Sequence, residues 1–359
     1  MVSENMDKII HNVIDQMKNL EAPFEENEVP IPHISMEHWE WPQGVGLFGL
    51  YLYYKKSGNK EIFNYLEGWF ERRFQEGLPG KNVNTMCPML TLTYLYEETE
   101  NEHYLDLCKE WLDYVMNDMP RTQENGIQHI VTAMENREQL WDDTLYMTVL
   151  FVTRMGVLLK DDKYIQESIY QFLIHLKYLT DRKTGLLFHG WTFEGNHHFA
   201  GALWARGNSW YTAGIVDYLE IVELPPSMKE ILLSALEMQV KTLEKLQNRN
   251  GMWHTLLDDS STYVEASATA AFSYGILKAV RKGFLPEKYK ETGVKAWKAV
   301  MERIDEKGIL LDVSYGTGMG SDLQYYKDIK VCPMPYGQSM ALLMMVEGLE
   351  HGLTIETVK

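Results

Sequence analysis

The 359-residue chain carries 51 acidic and 34 basic side chains, a formal net charge of -17, and is 45% hydrophobic. That apolar content supports a large core and excludes a disordered chain, while the acidic balance argues against nucleic acid or an anionic membrane surface as partner. The 10 Trp, 21 Tyr and 12 Phe lean towards carbohydrate, because aromatic faces stack on sugar rings.

Helical periodicity dominates the chain. An amphipathic helix near 6–20 leads into a Pro-rich link with Pro23, Pro30 and Pro32. His38-Trp39-Glu40-Trp41-Pro42-Gln43-Gly44 then opens an apolar helix near 45–56, which turns at Ser57-Gly58-Asn59 into an amphipathic helix near 60–76. The alternation repeats with 87–98 and 102–118, joined at Glu100-Asn101-Glu102, and with 143–159 and 163–179, joined at Lys160-Asp161-Asp162. The pairs 208–222 with 227–247 and 266–281 with 287–304 continue it, and a last apolar helix covers about 337–350.

An apolar helix needs burial on every side, whereas an amphipathic one can face water. About six of each, recurring as hairpins, predict an all-α (α/α)6 barrel of six inner and six outer helices, with residues 1–359 as one domain. Inner-to-outer turns are short. Most outer-to-inner links are long and carry Trp39, Trp41, His129, Trp141, His189, Trp191, Trp204, Arg206, Trp253, His254 and Tyr336. Long loops in compact domains are usually functional, so the site is expected at the rim where the inner helices begin.

Leu140-Trp141-Asp142-Asp143-Thr144-Leu145-Tyr146-Met147 sets two adjacent carboxylates before an apolar helix. Asp142 is the better-placed helix cap, leaving Asp143 to point inward beside Trp141, which would exclude water and raise its pKa towards that of a proton donor. The plainer alternative is Asp143 as the cap. Arg206, between Trp204 and Trp210, is either a structural Arg stacked on an indole and paired with a core acid, or a planar fork for a substrate carboxylate. The Gly207-Asn208 helix start favours the fork. His129 and His189 are more often satisfied polar residues than ligands. No stretch has zinc spacing or a phosphate-loop pattern, Gly316-Thr317-Gly318 included, so neither metal nor cofactor is expected. A conventional glycosidase needs two facing carboxylates, and spacing does not choose a partner for Asp143 among Glu40, Asp142, Glu194, Asp258, Asp259 and Glu265.

Cys87, Cys108 and Cys332 are odd in number and widely separated, which reads as reduced thiols of a cytoplasmic protein. Neither a secretory signal nor an apolar run of about 18 residues is visible, so no membrane span is expected.

Together, Trp141-Asp142-Asp143-Thr144-Leu145-Tyr146-Met147, His189-Gly190-Trp191 and Trp204-Ala205-Arg206-Gly207-Asn208-Ser209-Trp210 resemble glycoside hydrolase family 105, the unsaturated rhamnogalacturonyl hydrolases. Family 88, the unsaturated glucuronyl hydrolases, is a more distant likeness. Gly251-Met252-Trp253-His254, the stretch from Tyr263 to Ala270, Tyr315-Gly316-Thr317-Gly318 and Tyr336-Gly337-Gln338 extend the resemblance over about residues 40–345. It implies the (α/α)6 fold and hydration of a 4,5-unsaturated uronic acid at an oligosaccharide's non-reducing end. Asp143 would protonate C4, water would add at C5, and the hemiketal would open.

The resemblance further implies Arg206 near the uronate carboxylate, Trp204 and Trp210 lining the sugar pocket, His189 bonding the unsaturated sugar and Trp41 walling the entry. His129 and Trp141 join them as substrate-binding candidates. Relatives often have a second Asp before the second inner helix, where this chain reads Asn82-Val83-Asn84-Thr85-Met86. Asn84 could orient a hydroxyl there but could not share a proton. The expected partner is a small pectin-derived oligosaccharide; the runner-up readings are another unsaturated uronide or a non-catalytic sugar-binding barrel. Nothing in the sequence specifies an oligomeric state.

Overall fold

A computed structural model of the chain describes residues 4–21, 35–354 and 356, so Pro23, Pro30 and Pro32 of the Pro-rich link lie outside the described residues. Helix α1 (Glu4–Asn19) precedes α2 (Trp41–Ser57), which is buried without a break from Pro42 to Tyr51. Helix α3 (Lys60–Glu76) buries only the stripe Ile62, Leu66, Trp69, Phe70 and Arg73. The first pattern belongs to a helix enclosed in a ring, the second to one that shields it from water. The alternation continues through α4 (Cys87–Thr99) and α5 (Glu102–Asn117), α6 (Leu150–Leu159) and α7 (Asp162–Leu179), and α8 (Ala205–Ile221) and α9 (Pro226–Leu246). Next come α10 (Ala266–Arg281), α11 (Lys290–Met301), a short α12 (Leu323–Lys327) and α13 (Pro335–Glu350).

Helices α2, α4, α6, α8, α10 and α13 each pack on the next, and α13 returns to α2; α3, α5, α7, α9, α11 and α1 lie against them from outside. The chain therefore folds as the (α/α)6 barrel its periodicity predicts. Close approach within the ring depends on missing side chains. A Cβ on Gly44 would lie 2.6 Å from Cys87 Sγ at the start of α4, and one on Gly275 of α10 would lie 2.4 Å from the Thr212 carbonyl oxygen of α8.

Three hairpin turns at one rim share a construction. A residue in the left-handed region (Gly58, Glu100 or Lys160) ends the inner helix. The next side chain (Asn59, Asn101 or Asp161) then accepts the N–H two residues on and caps the outer helix. The long links gather at the opposite rim.

The structure departs from the sequence expectation in three places. The helix expected from 143 starts there but widens at once into a π-helical turn, Leu145–Val149, of a kind often found at functional sites. Helix α8 begins at Ala205, which puts Arg206, Gly207 and Asn208 in its first turn. Two short strands, β1 (Gln139–Trp141) and β2 (Gly190–Thr192), pair antiparallel with Trp141 opposite Gly190; three residues are too few to display an alternating pattern. Among the described residues, no helix is long and apolar enough to cross a membrane.

Candidate active site

The long links enclose a cavity of about 260 Å³ lined by Trp41, Asn84, His129, Trp141, Asp143, Trp204 and Arg206. Most of the residues singled out in the sequence thus meet in one place. Glu40, Thr132, Met134 and the Gly316-Thr317-Gly318 segment complete the wall.

Pairing of β1 with β2 brings the acids to His189. The Asp142 N–H donates to the His189 carbonyl at 3.2 Å. Asp143, with 17% of its side chain exposed, places Oδ2 3.6 Å from His189 Nε2. The His129 ring lies parallel to Trp141 with centroids 4.3 Å apart, and its Nδ1 is 2.8 Å from Thr144 Oγ1. Burial pushes the His129 imidazole down to about 3, so it is neutral.

Asp142 is fully buried, and neither carboxyl oxygen has a hydrogen-bond partner. It rests on the first turn of α8, where a Cβ on Gly207 would come within 2.3 Å of Oδ2. It does not cap the following helix as its position suggested: that helix starts at Asp143, and neither Asp142 oxygen accepts one of its N–H groups.

Burial, and then the neighbouring Asp143, push Asp142 well above the usual carboxylate range. Burial acts the same way on Asp143, but His189 and His129 outweigh it and hold Asp143 down, to about 2. The elevated acid expected beside Trp141 is therefore Asp142. Two imidazoles favour the charged form of Asp143, and no such group favours that of Asp142. Burial thus favours the protonated form of Asp142, and the surroundings of Asp143 favour its charged form. One oxygen of each lies within 4.8 Å of the other and of a His189 ring nitrogen, a spacing that would admit a small cation.

A stability measurement tests the protonated form of Asp142. The folded chain binds the Asp142 proton more tightly than the unfolded chain, so stability is lost as pH rises through the elevated pKa. Asp142→Asn should flatten the decline in unfolding free energy as pH rises above the usual carboxylate range. Parallel curves for variant and parent would show that Asp142 does not retain the proton.

Arg206 is 1% exposed, with both terminal nitrogens engaged. Nη1 donates to the Ser314 carbonyl at 3.0 Å and to its hydroxyl, and Nη2 to the Tyr315 carbonyl at 3.1 Å and Thr317 Oγ1 at 2.9 Å. The guanidinium lies over the Trp204 and Tyr336 rings, and Glu265 Oε1 is 3.8 Å away. This geometry favours the structural reading: the fork braces the segment 314–317, a partner that spacing could not reveal.

Trp210 and His189 do not line the cavity. Trp210 is 1% exposed and supports Trp41 from behind, with centroids 5.5 Å apart. His189 is 1% exposed, between Trp141 and Trp204, and acts on the cavity only through Asp143. Sequence reasoning missed Tyr326, whose hydroxyl lies 2.7 Å from His189 Nδ1; a Tyr in a helix of five residues carries no periodic signal. Glu40 was weighed only as a carboxylate. It is 3% exposed, accepts from Thr132 at 2.9 Å, and is pushed up chiefly by burial.

Residues 11–351 match the family model of Glycosyl Hydrolase Family 88. The chain is 31% identical over 315 residues to the unsaturated rhamnogalacturonyl hydrolase YesR of Bacillus subtilis (strain 168), a match covering 87% of this chain and 90% of that protein. It is 44% identical to a possible member of the GH105 family from Klebsiella pneumoniae subsp. pneumoniae MGH 78578. That crystal structure superposes with a TM-score of 0.94 over 98% of this chain and 95% of the other. The unsaturated glucuronyl hydrolase of Bacillus sp. GL1 shares the fold at 15% identity, with a TM-score of 0.73 over 98% of this chain and 97% of its own.

Proposed function

This chain belongs to Glycosyl Hydrolase Family 88, and from that membership we propose that it releases 4,5-unsaturated galacturonic acid from the non-reducing end of rhamnogalacturonan oligosaccharides. The activity named for its Bacillus subtilis relative supports the substrate class. The observation that carries the reading is Asp143 at the wall of an aromatic cavity, with its Oδ2 3.6 Å from His189 Nε2.

Trp41, Trp141 and Trp204 line the cavity and offer apolar surface to a sugar ring. Asn84, Thr132 and Glu40 form a polar wall suited to ring hydroxyls. The Arg206 charge beside the cavity favours a uronate there, although its fork is engaged elsewhere. When this anion enters and displaces water, the proton affinity of Asp143 rises, and Asp143 delivers a proton to C4. Positive charge developing at C5 is shared with the ring oxygen. Water adds at C5 and returns a proton to the Asp143 carboxylate; the hemiketal then opens and frees the neighbouring sugar. One proton leaves Asp143 and one comes back, so no second, nucleophilic carboxylate is needed.

The proposal takes residues 1–359 as one catalytic domain working in a reducing cytoplasm, which suits the buried thiols Cys87, Cys108 and Cys332. Incubation with lyase-digested rhamnogalacturonan should remove the ultraviolet absorbance of the double bond and release rhamnose in step. Binding without loss of absorbance would leave a sugar-binding barrel. Faster turnover of an unsaturated glucuronyl disaccharide would move the substrate to that class.

A further inference from the structure

Beyond the acid itself, the structure carries a device that sets which His189 nitrogen holds its hydrogen towards Asp143. Residues 314–331 leave the Arg206 brace, form the Gly316-Thr317-Gly318 wall, and return through α12, whose start is capped by Asp322 accepting the Tyr325 N–H at 2.9 Å. The bridge between Ser314 and Val331 closes this strap at its base. Its inner anchor is Tyr326, fully buried against Trp204, Ala202 and Leu256.

The Tyr326 oxygen accepts the Gly320 N–H at 3.2 Å, and its own hydrogen has two possible acceptors: His189 Nδ1 at 2.7 Å and Met319 Sδ at 3.7 Å. A thioether is the weaker and more distant acceptor, so the hydrogen goes to Nδ1. Burial raises the phenol's pKa, which keeps that hydrogen in place. An imidazole that accepts at Nδ1 carries its hydrogen on Nε2, and Nε2 is the atom 3.6 Å from Asp143 Oδ2. Trp141 and Trp204 hold the ring on either side. The titratable groups around His189 are Asp143, Asp142, neutral His129 and Tyr326 itself.

We propose that Tyr326 is a positioning residue for the acid: its hydroxyl fixes the His189 tautomer so that Nε2–H faces Asp143. With the other tautomer, a ring lone pair would oppose the carboxylate and the dyad would lose its alignment. Because Tyr326 and the Gly316–Gly318 wall belong to one strap, an oligosaccharide pressing on that wall acts on the acid as well. The catalytic consequence rests on the uronide-hydrolase reading above; the tautomer does not.

Tyr326→Phe keeps the ring that packs on Trp204 and removes only the hydroxyl. In the variant, nitrogen-15 shifts of His189 should change from a single Nε2–H tautomer to a mixture. With unsaturated rhamnogalacturonan oligosaccharide as substrate, kcat should fall about 10- to 100-fold, the size typical of lost supporting hydrogen bonds, with KM within about threefold and the melting temperature near the parent's. Unchanged nitrogen-15 shifts, or a kcat equal to the parent's, would overturn the proposal. A parent enzyme inactive on the uronide whose His189 tautomer still changes in the variant would sink the substrate reading while sustaining the role of Tyr326.

Discussion

Asp143→Asn should lower kcat by about 10³-fold or more, within the range for loss of a general acid, while binding of the unsaturated oligosaccharide stays within a few-fold of the parent's. Asn fills the same space beside His189 and Trp141 but has no proton to give to carbon. Binding can be followed through the fluorescence of Trp41, Trp141 and Trp204, which line the cavity. A folded variant that keeps a tenth of the parent's turnover would remove Asp143 from the acid's role. The pair then offers a second comparison, because Asp142→Asn leaves the exposed acid intact and should be the milder change.

The second large effect belongs to Arg206, and it falls on stability. Arg206→Ala should destabilise the fold by about 3 kcal/mol or more, since breaking a buried charge pair typically costs about 3–5 kcal/mol. It removes the contacts to Ser314, Tyr315 and Thr317 and strands Glu265, which is 0% exposed. Glu265 would keep the Ala268 N–H at 2.6 Å as the cap of α10, so the helix itself should survive. Urea unfolding measures the loss. KM should rise as well, because the wall 316–318 is no longer held. Arg206→Lys should fall between, keeping the charge but not the planar fork. If Arg206→Ala unfolds with the parent's free energy and only KM for the uronate rises, the fork grips substrate after all.

These two residues show how far the sequence could be read. The barrel was legible because burial on all sides and burial on one stripe leave different marks: Pro42 to Tyr51 are continuously enclosed, whereas α3 hides only every third or fourth residue. The converging links were legible because Trp, His, Asp and Arg are costly to place in long loops without a shared purpose. Details set by distant partners were not. Which of Asp142 and Asp143 is enclosed depends on Gly207 in the first turn of α8, and the role of Arg206 depends on where residues 314–317 return. Tyr326 reaches His189 across 137 positions, and no local pattern marks such a pair.

The return of α13 to α2 has a bearing on how the molecule comes to exist. Ser339 Oγ lies 3.4 Å from the Pro42 carbonyl oxygen, a contact between residues 297 positions apart, so the ring is sealed by helices from opposite ends of the described chain. During synthesis, α2 must wait for its last neighbour with its apolar flank uncovered, as must α10. Such an open horseshoe is the species most exposed to self-association and most in need of a chaperone. Ribosome pausing shortly before α13, or a stop codon there, should therefore yield aggregate rather than a smaller working enzyme.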